Sequence, residues 1–181
     1  MDAIEFLKDE QRNVERILEV IKEMNYLVLT DSNKIDYNDF NIIIDCIRNY
    51  ADKIHHKKEE DMLFKVMVEK LPEAIRKTIQ YGMLVEHDQG RMFVASLEEA
   101  IKQYKDGEDR ARLSIISNSM EYVHLLERHI DKEDRVVFNF AKNNLTNLDK
   151  ELLNIEFSKH INISEINMYL EKIIKLEKKY L

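Results

Sequence analysis

One proline and three glycines are all that this 181-residue chain holds of the residues that break helices. Set against 44% hydrophobic and 35% charged residues, that scarcity points to an all-helical protein. Cys46 is the only cysteine, which excludes an intramolecular disulfide and any thiolate-rich metal site. No run approaches the ~18 apolar residues that span a bilayer, and residues 1–8 show no basic stretch followed by an apolar one, as a signal peptide would. An excess of positive charge is missing too. Lys and Arg number 28 against 35 Asp and Glu, a formal net charge of −7, and the basic residues are scattered among acids. Neither a nucleic acid nor a membrane is an expected partner, and a soluble cytoplasmic protein is the expectation.

What is present is helical periodicity. A first helix is predicted from Asp2 to Leu29, stopping at Thr30-Asp31-Ser32-Asn33, with Ile4, Leu7, Val14, Leu18 and Ile21 on one face and Gln11 as the polar residue in that stripe. A second runs from an N-cap at Asp36 to just before Pro72. Its inward stripe is read as Ile44, Ile47, Ala51, His55, Glu59, Met62, Leu63 and Val66, with His56 and Glu60 about 100° away on a solvated face. A short connection from Glu73 leads to a third helix ending at Lys105-Asp106-Gly107, with Leu84, His87, Gly90, Val94, Leu97 and Ile101 inward. The fourth extends from Glu108 to Lys142, with His129, Glu133, Val136, Val137 and Phe140 among its inward residues. Two more helices, 146–160 and 164–180, the latter capped by Ser164, are expected to pack against the bundle. The expected architecture is all-α. An up-down-up-down four-helix bundle occupies residues 1–145, and a C-terminal helical extension occupies 146–181.

The second and fourth helices repeat each other. His55-x3-Glu59-Glu60 with Leu63-Phe64 is matched by His129-x3-Glu133-Asp134 with Val137-Phe138, and Asp9-Glu10-Gln11 by Val85-Glu86-His87. Two helical hairpins in tandem, closing with pseudo-two-fold symmetry, account for this pattern. Residues four apart lie on the same side of a helix about 6 Å apart along its axis, so His and Glu at that spacing converge on one cation. Two such pairs facing each other, with His87 as a third nitrogen, make a metal site that suits iron or zinc. Burying Glu59 and Glu133 as free carboxylates would cost several kcal/mol each, roughly, and either metal binding or protonation removes that cost. For an isolated His-x3-Glu pair the bland reading, a solvated accident of sequence, is the better one. The duplication is what favours a site. His56, Glu60, Glu86 and His124 read as solvated groups or as supports for the ligands.

These elements resemble the hemerythrin-like (HHE cation-binding) family over roughly residues 5–141. The likeness is carried by Glu10-Gln11-Arg12, His55-His56-x2-Glu59-Glu60, Glu86-His87-x2-Gly90-Arg91 and His129-x3-Glu133-Asp134. The resemblance implies a four-helix bundle around a carboxylate-bridged non-haem di-iron centre, with His55, His87 and His129 as terminal ligands and Glu59 and Glu133 as bridges. It departs at Gln11, where the family usually has a histidine ligand. A single iron or a zinc is therefore a second reading of the metal content, and His56, Glu15 or His160 could complete the site. It departs also at Arg91, where the oxygen carriers have a further His. The function implied is binding or sensing of a small ligand such as oxygen or nitric oxide, or of iron itself. The enzymatic alternative is a di-iron protein for peroxide or nitric-oxide detoxification or iron–sulfur repair. A partly metallated helical interaction module is the third. A binding or sensing role is preferred to a turnover enzyme, because neither an extra cysteine pair nor an appended domain is present.

Overall fold

The computed structural model describes residues 2–31 and 36–181. Six helices make up the fold, with no strand among the described residues. Helix α1 is Ala3–Thr30, opened by the Asp2 side chain, which accepts from the backbone N–H of Ile4 and Glu5. Helix α2 covers 37–70 and is capped by Asp36. It passes through two π-helical stretches, Ile47–His56 and Glu59–Leu63, before ending with Phe64–Lys70. Leu71, which precedes Pro72, is extended (φ −106°, ψ 162°), the conformation that a following proline imposes.

Helix α3 covers 73–105, with a π-helical turn at Ile79–Met83. Gly107, at φ +102°, turns the chain into α4. That helix covers 111–144, with a π-helical turn at Glu133–Val137. It begins at Ala111 rather than Glu108, because 108–110 are used in the turn. Helix α5 is Asn147–Lys159, closed at its start by a Thr146–Asp149 capping box. Helix α6 is Ile163–Tyr180, capped by Asn162, whose side chain accepts from Glu165 N–H; the expected cap, Ser164, lies inside the helix. Ser32 and Asn33 of the predicted first stop lie outside the described residues.

The core is in two apolar clusters with a polar layer between them. Val14, Ile21, Phe40, Ala51, Val94 and Leu126 belong to one; Leu7, Leu63, Phe64, Met83, Val137 and Phe138 belong to the other. Each bundle helix crosses from one cluster to the other, in alternating direction, so the four run up, down, up and down. Helix α6 adds Ile166, Tyr169, Ile173 and Leu176 to the first cluster, and α5 adds Leu153 and Phe157 to the second. Val136, expected inward, is 49% exposed. The π turn at Glu133–Val137 takes in one more residue than an α turn and carries that side chain outward.

Candidate metal centre

The polar layer gathers every residue singled out from the sequence as a metal ligand. Gln11, His55, Glu59, His87, His129 and Glu133 are each no more than 2% exposed, one or two from each helix of the bundle. His55 Nε2 lies 3.4 Å from Glu59, and His129 Nε2 lies 3.2 Å from Glu133, so both His-x3-Glu pairs close. His87 Nε2 is 3.6 Å from Glu59 and 3.0 Å from His129 Nε2.

His56 corrects the sequence reading. It is 5% exposed, not solvated, and its ring stacks on His87 with centroids 4.0 Å apart. The π-helical stretch Ile47–His56 brings neighbouring side chains closer in azimuth than an α-helix does, so His55 and His56 both turn inward. Glu15 and His160 take no part. Glu15 is 42% exposed and pairs with Arg12, and His160 is 51% exposed beside Glu156.

Donor atoms converge in two groups, each within 4.8 Å: His56, Glu59, His87 and His129 in one, and His55, Glu59 and Glu133 in the other. Glu59 is common to both. Both of its carboxylate oxygens, together with Glu133 Oε1 and Gln11 Oε1, are buried without a hydrogen-bond partner. Such orphaned acceptors are rare and costly in a protein interior. A pair of cations would satisfy them, and the mix of imidazole and carboxylate suits iron. The residues present therefore fit a two-metal centre.

Around these groups runs a closed ring of carboxylates. Glu10 of α1 meets His55 Nδ1 of α2 at 3.3 Å, and Glu60 of α2 accepts from His87 Nδ1 of α3 at 2.7 Å. Glu86 of α3 accepts from His129 Nδ1 of α4 at 2.9 Å, and α4 returns to α1 through Glu133, which accepts from Gln11 Nε2 at 2.6 Å. Lys58 donates to Glu10, Lys132 to Glu86, and Arg91 to both Asp52 and Glu60. Asp52 in turn lies 3.6 Å from His56 Nδ1. A carboxylate on Nδ1 fixes the proton there and leaves Nε2 free to bind a metal. Glu60 and Glu86 thus take the supporting role read for them from the sequence. The partnering lysines, Lys58 and Lys132, were not legible, although both stand immediately before a repeated Glu.

The electrostatics agree with this division. Burial pushes His55 down to about 3 and His56 to about 4, and it holds His87 well below the usual imidazole range, so all three are neutral. Burial and the nearby Glu133 push Glu59 well above the usual carboxylate range. His129 behaves oppositely: burial lowers it, but Glu133 and Glu86 outweigh burial and hold it at about 9. The layer thus keeps protons where a cation would replace them.

The profile of the hemerythrin HHE cation binding domain matches residues 2–141, well over half of the chain. The chain belongs to that family. No curated protein matches the chain. In this HHE protein a cavity of ≈ 350 Å³ opens onto His56 and His87, with Gly90, Val94, Tyr122 and Leu126 among its walls and Arg91 at its rim. Arg91 stands at the place of the carriers' additional His. In this HHE protein it binds supporting carboxylates, with no part in either donor group.

Proposed function

We propose that this hemerythrin-like protein holds a non-haem di-iron centre and uses it to bind or sense a small diatomic ligand, oxygen or nitric oxide. The observation that carries the proposal is Glu59, shared by two donor groups, with both oxygens buried and unpartnered. His56, His87 and His129 would hold one iron and His55 and Glu133 the other, with Glu59 between them. Iron bound there would supply an open coordination position for the exogenous ligand.

The chain's own residues contribute the rest. The ring of carboxylates orients the imidazoles before any metal arrives, and the two apolar clusters exclude water above and below the layer. The cavity beside His56 and His87 leaves room for a ligand on that side. The buried, lone Cys46 needs no oxidising compartment, which suits the cytoplasmic location proposed with this function.

The test is anaerobic reconstitution with ferrous iron, a metal count per chain, and optical spectra before and after exposure to air. About two irons per chain with new near-ultraviolet bands are expected from two positions sharing a carboxylate. A chain that retains no iron, with an unchanged melting temperature, would overturn the reading.

A further inference from the structure

The two donor groups are chemically unequal. The one formed by His56, His87, His129 and Glu59 offers three imidazoles and one carboxylate. The one formed by His55, Glu59 and Glu133 offers one imidazole and two carboxylates, and the residue beside it is Gln11. Gln11 donates its amide N–H to Glu133 and leaves Oε1 buried without a partner, so the further donor that it offers there is also an oxygen. The inequality lies in these inward donors alone, because all four imidazoles have a carboxylate at Nδ1: Asp52, Glu60 and Glu86 in the first group and Glu10 in the second. Those partners raise the basicity of the nitrogens facing inward.

From this asymmetry we infer that the centre takes two different metals: iron where nitrogen dominates, and manganese(II) where oxygen dominates. The inference rests on the two-metal reading above and replaces its second iron with manganese(II) when both ions are offered. Divalent iron binds more tightly than divalent manganese at most sites, but imidazole widens that margin, whereas carboxylate and amide oxygens suit manganese. With one of each ion available, the arrangement of lowest free energy puts iron with the three histidines. Manganese then sits with His55, Glu133 and Gln11.

The experiment loads the metal-stripped full chain, without oxygen, with one equivalent each of ferrous iron and manganese(II). Anomalous diffraction at the iron and manganese edges then reads the occupancy of each position. Manganese is expected on the His55 side with a preference of roughly tenfold over the His56 side, and iron the reverse. Both metals spread equally over both positions, or two irons bound with manganese left in solution, would overturn this inference alone. Retention of neither metal would overturn the two-metal reading and this inference with it. In Gln11→His, whose second position gains an imidazole, the same mixture is expected to lose the segregation, with iron spread over both positions. Unchanged segregation in that variant would overturn the role given to Gln11, while the wild-type diffraction stands independently of how the variant folds.

Discussion

Glu60 holds His87 Nδ1 at 2.7 Å, and its counterpart in the second half of the chain, Asp134, faces α1 with its Oδ1 buried and without a hydrogen-bond partner. Arg12 takes the other oxygen, much as Arg91 takes Glu60. The support that a histidine at position 11 would need is therefore already in place, although position 11 is a glutamine. Gln11→His is expected to raise the melting temperature of the metal-loaded protein. Asp134→Asn in the same background should remove that gain, with a coupling of about 1 kcal/mol in a double-mutant cycle. Additive effects of the two substitutions would show that Asp134 does not hold the new imidazole.

Glu86 joins His129 to Lys132 and so fixes one of the three imidazoles of the first donor group. Glu86→Gln keeps the size of the side chain and removes its charge. Metal affinity, measured by competition with a chromophoric chelator, should fall by about 10- to 100-fold, with helicity unchanged. A loss confined to one of two metals would be consistent, since His129 faces only the first group. An unaltered affinity would show that the bond does not support the site.

His56 separates the structure's reading of α2 from one based on even α-helical spacing. His56→Ala should reduce the metal content by about one ion per chain, or weaken that ion by an order of magnitude or more, roughly. Glu15→Ala and His160→Ala, at exposed positions, should leave the count as it is. Elemental analysis of the three purified variants decides it. Equal counts in all three would remove His56 from the centre.

The metal-free protein should lose stability as pH rises from about 6.5 to 9. Burial raises Glu10 from 4.5 to about 7 against the pull of Lys58, and His129 is raised from 6.5 to about 9. Each raised group contributes fully below its unfolded value and loses that contribution as pH passes its folded value. Over this window the folded chain keeps protons that the unfolded chain has released. Stability therefore falls, by up to about 1.4 kcal/mol per proton per pH unit. His55, His56 and His87 are neutral in the folded chain and release most of their protons in the unfolded chain by about pH 7.5, so their opposing contribution is confined to the lower edge of the window. Metal binding displaces protons from the layer and strengthens with pH, so the loaded protein should not share the decline. Calorimetry with and without iron at pH 6.5, 7.5 and 9 (roughly even steps across the window) tests the sign, and a metal-free melting temperature that climbs with pH would contradict it.

Much of this arrangement was readable in the sequence because four-residue spacing survives in the structure wherever it was used. His55–Glu59 and His129–Glu133 close as that spacing requires, and Gln11 and His87 fall in the same layer because they interrupt apolar stripes at matching depth. His56 and Val136 were misplaced for one reason: each lies in a π-helical stretch, where the even 100° step fails. Nothing in residue type announces those stretches. The lysines escaped notice for a different reason. Lys58 is 4% exposed and is drawn inward by Glu10 on another helix, a pairing that no pattern along one helix reveals.

The ring of carboxylates also divides into links within each hairpin and links between the two. Glu10 with His55 and Lys58 closes within the first hairpin, and Glu86 with His129 and Lys132 closes within the second. Glu60 with His87 and Gln11 with Glu133 tie one hairpin to the other, reinforced by Arg91 on Asp52 and Arg12 on Asp134. Each half therefore has its own latch and carries part of the donor set. Glu59 lies where the halves meet, so a cation there would act as a rivet set after both plates are shaped, and its removal would loosen the seam before it unwound either hairpin.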